Sequence, residues 1–283
     1  MHEFSGRTAV ITGGASGIGL AVAQRLGAEG MNLVLADIEA PVLAQVVRTF
    51  EADGVTVLGI ETDVSDRVSV LAMRDQTIER FGTVEFLFNN AGVAGGGALL
   101  AEADDYEDIF EWTLGVNLYG VLHCIRAFVP GMIAHGQPAH VINTASMAGL
   151  IPAPLGAYTV SKYGSLCMAE LLAGECAETE VNVSVLCPAF VVTGIADSVR
   201  NLPEHLVPTV DASPEAELRA NALRDLVSGG IAPEEVAEAV FAAIVDEQCL
   251  ILTHEGNDEA VRSRTEALLV GRVPHDWVDS PLS

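Results

Sequence analysis

The chain has 283 residues, half of them hydrophobic, and 39 acidic side chains against 14 basic ones give a formal net charge of -25 at pH 7. That is ample material for one large core, and so negative a chain is not expected to bind nucleic acid or anionic membrane, which are held by clustered cations. Five cysteines without a CxxC pair and seven histidines without close spacing offer no metal site; with no basic-then-apolar leader and no apolar run near ~18 residues, a soluble cytoplasmic protein is expected.

Short β-branched runs alternate with stretches of helical period. The predicted strands are Thr8–Thr12, Asn32–Asp37, Val55–Ile60, Val84–Phe88, His140–Thr144, Val181–Cys187 and Leu250–Thr253. Helices are predicted at about 17–29, 40–52, 66–81, 103–134, 157–178, 233–246 and 256–269. Runs such as EFLF and VSVLC are apolar at successive positions rather than alternating, the mark of a parallel sheet covered on both faces. The alternation predicts an α/β fold: a single doubly wound Rossmann-type domain with a mostly parallel seven-stranded sheet flanked by helices. Residues 190–231, with Pro203, Pro208, Pro214 and the pair Gly229-Gly230, read as an irregular insertion after the sixth strand. Ligands of such sheets bind at the carboxyl ends of the strands, so the insertion is expected to be a lid over the substrate. About 270–283 read as a C-terminal tail.

The first strand runs into Thr12-Gly13-Gly14-Ala15-Ser16-Gly17-Ile18-Gly19 at the start of the first helix. Glycine lets the backbone approach a pyrophosphate, and the helix N-terminus adds amide donors and positive potential; Gly13, Ser16, Gly17, Ile18 and Gly19 are the candidate contacts. Asp37 closes the second strand, where a carboxylate accepts from both adenosine ribose hydroxyls and repels a 2′-phosphate. Ile38, Glu39 and Ala40 bring no arginine, and positions 15 and 16 are not basic. The cofactor expected is NAD rather than NADP.

Lysine occurs once, at Lys162, four residues after Tyr158 and so on the same helix face. With TGxxxGxG at 12–19, Asn89-Asn90-Ala91-Gly92, Asn117, Ser146 and Tyr158-x-x-x-Lys162 in this order, residues 5–255 resemble a short-chain dehydrogenase/reductase. The resemblance implies hydride transfer with a nicotinamide cofactor and a homodimer or homotetramer. It implies that Asp63 and Val64 contact adenine, that Asn90, Ala91 and Gly92 form the floor under adenosine and ribose, and that Pro188, Val191 and Thr193 hold the carboxamide. Ala189 stands where the family usually has glycine, and the step from Ser146 to Tyr158 is one residue shorter than usual.

Tyrosine is a weak base at neutral pH, its phenol ordinarily titrating near ~10. A neighbouring ammonium lowers that value, so Lys162 is expected to favour the phenolate of Tyr158. The resemblance makes Asn117, Ser146, Tyr158 and Lys162 the catalytic set: Ser146 orients the substrate oxygen, Tyr158 exchanges its proton, Lys162 also binds the nicotinamide ribose, and Asn117 holds a relay water. Gly95–Leu100, Met147–Leu155, Phe190 and residues 194–230 would form a pocket rich in apolar side chains. The expected substrate is an uncharged, rather apolar secondary alcohol or ketone, aromatic ones included. The alternative is a catalytically silent NAD-binding sensor or scaffold on the same fold. An epimerase or dehydratase of the related extended group would carry TGxxGxxG instead.

Overall fold

Strands form where β-branched and aromatic residues run together. A computed structural model describes residues 3–97, 99–100, 106–206 and 214–272. In it β1 (Thr8–Thr12), β2 (Asn32–Asp37), β3 (Val57–Glu61), β4 (Phe86–Asn89), β5 (Ala139–Thr144), β6 (Val181–Cys187) and β7 (Leu250–Leu252) join in one sheet. The order is β3-β2-β1-β4-β5-β6-β7, and every pairing is parallel. The chain winds outward from β1 in one direction and from β4 in the other. The carboxyl ends of those two neighbours therefore flank the crevice where a doubly wound sheet takes its ligand.

Successive residues of each strand feed opposite faces. Ile11, Leu33, Leu35, Phe86 and Phe88 pack with α1 (Gly17–Ala28), α2 (Ala40–Ala52) and α8 (Pro233–Asp246). Val10, Val34, Leu87, Val141 and Val185 pack with α3 (Arg67–Phe81), α5 (Gly120–His135) and α6 (Ala157–Glu175) on the other face. Each fully buried Leu or Phe contributes about 1.5–3 kcal/mol, so both faces anchor the crevice rigidly.

Three features depart from the expected elements. The helix predicted at 103–134 is α4 (Tyr106–Leu114), a π-helical turn (Gly115–Tyr119) and α5; residues 103–105 lie outside the described ones. The continuous run Tyr106–His135 is long and apolar enough, by length and composition, to cross a membrane, contrary to the expectation that no run approaches that length. It has Thr113, Asn117, Cys124, Phe128 and Met132 buried, as a core helix does. Finally, the region read as irregular holds a 3-10 segment (Gly194–Asn201) and α7 (Pro214–Ser228). Pro214 occupies the first position of α7, where its missing N–H has no helical partner to lose and its fixed φ is already helical. Pro214 thus marks the start of a segment, while Pro208 lies outside the described residues.

Candidate active site

The glycine loop is shaped by close approach. Gly13 (φ +64) and Gly17 (φ +51) occupy the left-handed region. A side chain at Gly13 would press on Ala91, one at Gly17 on Thr193, and one at Gly19 on the carbonyl of Gly13. Thr12 and Asn90 weld this loop to the one after β4. Thr12 Oγ1 accepts from the backbone N–H of Asn90 (2.9 Å) and Ala91 (3.1 Å), and Asn90 Nδ2 donates to Thr12 O at 3.1 Å. Asn90 thus ties the glycine loop to the loop after β4. Asp37 Oδ2 accepts from Ala15 N–H at 3.0 Å and Oδ1 from Glu39 N–H at 3.1 Å. The helix cap of α2 is Glu39 rather than Asp37, and each Asp37 oxygen keeps a second acceptor direction for a ribose hydroxyl. Asp63 Oδ1 is engaged by Ser65, at 2.9 Å from its N–H and 2.7 Å from its hydroxyl. Asp63 and Val64 line a cavity with Asp37, Gly13, Ser16, Ala91 and Gly92. Narrow glycine turns, a helix N-terminus and a carboxylate at the far end of one cleft fit a dinucleotide.

The same cleft continues into a cavity of about 490 Å³ whose lining includes Ser146, Tyr158 and Lys162. Ser146 follows β5, and its hydroxyl accepts from Ala148 N–H at 3.1 Å; it caps a turn as well as facing Tyr158. Lys162 is no surface neighbour: it is 4% exposed and its ammonium donates to Thr144 O at 2.9 Å. Burial draws its pKa down to about 8, opposed by the nearby Cys187 thiol. Burial pushes the Tyr158 phenol up, with the Ser146 hydroxyl pulling down and Cys187 adding to the rise. The expected lowering of Tyr158 by Lys162 is therefore not what the protein's own groups produce. The ammonium turns to the Thr144 carbonyl, 5.5 Å from the centre of the phenol ring, and desolvation of the phenolate outweighs attraction at that range. Asn117 sits in the π-helical turn, fully buried, and its Nδ2 donates to Ser161 Oγ at 3.1 Å, which in turn donates to Tyr158 O at 2.7 Å.

The walls of the cavity are apolar. Met147, Ala148 and Ile151 to Leu155 form one side, Ala94 to Gly96 another, and Phe190, Leu223 and Val227 close it from above. Leu223 and Val227 come from α7 and were not separately singled out by the sequence. Leu99 and Leu100, expected in the wall, are instead 66% and 93% exposed, and Ala98 lies outside the described residues. Pro188, Val191 and Thr193 line the same cavity. Ala189 needs no glycine-like backbone, since among the described residues only Glu247 has positive φ without being glycine. The segment after Thr193 crosses the cleft as a strap. Ser198 Oγ accepts from Ala94 N–H at 2.8 Å, and Arg200 and Asn201 reach Glu39 at the end of β2, with Arg200 Nε 2.9 Å and Asn201 Nδ2 3.0 Å from Oε1. An arginine does stand beside Glu39, then, delivered from 161 residues away. Nothing local at positions 37–40 signals it.

A protein built this way is an α/β oxidoreductase of the Rossmann type, its switch point open to a dinucleotide and its apolar chamber floored by a hydroxyl pair. Residues 7–203 match the family described as short chain dehydrogenase, and the chain belongs to that family. It is 41% identical to a short chain dehydrogenase/reductase from Burkholderia phymatum solved in complex with NAD, with a TM-score of 0.93 over 98% of this chain and 99% of that one. It is 32% identical over 276 residues to a C alpha-dehydrogenase of Sphingobium sp. strain SYK-6, covering 97% of this chain and 89% of that protein. A 3beta-hydroxysteroid dehydrogenase 2 of Eggerthella lenta is 34% identical over 201 residues, 71% of this chain and 76% of its own length.

Proposed function

We propose that this chain is an NAD-dependent dehydrogenase that interconverts an uncharged, apolar secondary alcohol, aromatic ones included, and its ketone. The observation that carries the reading is the position of Ser146, Tyr158 and Lys162 on the floor of an apolar cavity continuous with the dinucleotide cleft. The cofactor is NAD: Asp37 presents a carboxylate where a 2′-phosphate would have to sit, and the Burkholderia phymatum relative was solved with NAD. Bound in its oxidised form, NAD would supply a hydride acceptor and a positive charge.

Ser146 Oγ holds the alcohol oxygen and steadies charge that develops on it. Tyr158 takes the hydroxyl proton as the carbinol carbon gives up hydride, and returns it in ketone reduction. Lys162, held by Thr144 O, binds the nicotinamide ribose and passes protons toward solvent, and Asn117 belongs to the relay that links Lys162 to solvent. The steroid in the name of the Eggerthella lenta relative agrees with walls of Met, Ile, Pro, Leu and Phe. Tyr119, Leu122, Val160 and Leu171, exposed on α5, α6 and the turn before α5, support a homodimer or homotetramer, which sedimentation would resolve.

The test is turnover of aliphatic, aromatic and steroid-like secondary alcohols with NAD, followed by reduced-cofactor absorbance. Tyr158→Phe is expected to lower kcat by about 10²–10⁴-fold, the range of a lost general acid–base group, while binding NADH as the parent does. Unchanged turnover in Tyr158→Phe removes the mechanism. Binding of NAD with no turnover of any alcohol or ketone favours the sensor reading.

A further inference from the structure

We propose that Arg200 is a cofactor-binding residue: the strap carries its guanidinium across the cleft to the pyrophosphate and adenosine-ribose end of the site, and Glu39 and Asn201 hold it there. The proposal rests on the dinucleotide reading of the cleft.

The strap leaves β6 beside the glycine loop, with Thr193 against Gly17, and ends at β2. Over that path Arg200 bonds at both margins. Nη1 donates to Gly194 O at 3.0 Å, and Nε and Nη2 lie 2.9 and 2.7 Å from Glu39 Oε1. The guanidinium is therefore fixed between the residue that follows Thr193 and the acidic end of β2. Arg200 lines the apolar cavity and the adenosine-side cavity alike, in each case together with Gly13, Ser16 and Asn201. These bonds use one hydrogen on each nitrogen, and each terminal nitrogen carries a second one.

Charge makes the assignment specific. The adenosine-side cavity is lined by Asp37, Glu39 and Asp63, and Arg200 is its cation among the described residues. Lys162 lies at the other end, bonded to Thr144 O. A pyrophosphate placed on the N-terminus of α1 carries two negative charges toward three carboxylates. Helix dipole and backbone amides offset part of that repulsion; a guanidinium with free donors, which binds phosphate through paired N–H groups, offsets the rest. Glu39 orients the arginine, so it is a positioning residue rather than a ligand.

The experiment titrates ADP-ribose and adenosine into the parent, Arg200→Met and Glu39→Gln by calorimetry. ADP-ribose carries both phosphates and no nicotinamide; adenosine carries neither phosphate. Arg200→Met is expected to weaken ADP-ribose by about tenfold or more, the scale of one lost bond to a charged group, and adenosine by less than about twofold. Glu39→Gln is expected to keep ADP-ribose within about threefold of the parent. Equal affinity of parent and Arg200→Met for ADP-ribose overturns the assignment and leaves the dinucleotide reading standing. Equal losses for both ligands also overturn it, since Arg200 would then only brace the strap. Failure of the parent itself to bind ADP-ribose overturns both.

Discussion

Asn117 and Val93 pair through their amides in both directions. Asn117 Oδ1 accepts from Val93 N–H at 2.8 Å, and Asn117 Nδ2 donates to Val93 O at 2.9 Å. The π-helical turn (Gly115–Tyr119) carries Asn117, so the extra residue in that turn aims one side chain at the loop after β4 instead of at the next helical turn. The pairing fastens the loop that carries Asn90, Ala91 and Gly92 to the helix face opposite Ser161. Asn117→Ala leaves both Val93 groups buried and unpaired, at about 1–3 kcal/mol each. Denaturant unfolding is expected to show a loss of at least about 2 kcal/mol. Asn117→Asp keeps the acceptor but sets a carboxylate against Val93 O, and is expected to do no better. A loss under about 0.5 kcal/mol in Asn117→Ala, the ordinary range of a surface substitution, contradicts this account.

Much of this site was legible because its parts are local. Gly13, Gly17 and Gly19 share one turn, and Tyr158 and Lys162 share one helix face, so spacing alone places them together. Parallel pairing could be read from EFLF and VSVLC, whose successive apolar residues supply both buried faces. Arg200 was illegible for the opposite reason: its partner Glu39 lies on another strand's exit, and only the path of the strap joins them. The π-helical turn was hidden because one inserted residue barely disturbs a 3.6-residue pattern. Desolvation of Tyr158 also escapes a sequence reading, which places Lys162 nearby but not its bond to Thr144 O.

Lys162 gives a pH signature in the protein without ligands. Folding lowers its pKa from 10.5 to about 8 through burial. Between those values the unfolded chain binds the proton more tightly, so this group's contribution makes stability rise with pH across the window. Burying the charged form is costly below about 8, and the cost fades as the ammonium deprotonates. From pH 7.5 to 9.5 the parent is expected to gain about 2 kcal/mol relative to Lys162→Met, read from denaturant curves of both proteins. The lost bond to Thr144 O shifts the variant equally at each pH. Cys124 and Cys187, pushed up to about 12 by burial, act with the opposite sign above their ordinary value in both proteins and cancel in the comparison. A gap that does not change with pH means that Lys162 is not held in the charged form at a depressed pKa.

Cofactor choice rests on the same corner of the cleft as Arg200. On the function proposed above, Asp37 repels a 2′-phosphate, while Glu39, its pKa lowered chiefly by Asn201 and further by Arg200, pairs with the arginine beside it. Two uncharged replacements therefore act together. Asp37→Asn keeps an acceptor for Ala15 N–H, whose bond to Asp37 ties down the glycine loop at 3.0 Å; Glu39→Gln leaves the guanidinium with an unopposed charge. The double variant is expected to raise kcat/KM for NADP relative to NAD by about 10–100-fold, the equivalent of one charged hydrogen bond gained and one repulsion removed. Asp37→Asn alone is expected to change the ratio less, because Glu39 still faces the phosphate and still holds Arg200. Adding Arg200→Met to the double variant should cancel most of the gain, since Arg200 is the cation of that cavity among the described residues. An unchanged ratio in the double variant would mean that the carboxylates at the end of β2 do not set the preference for NAD.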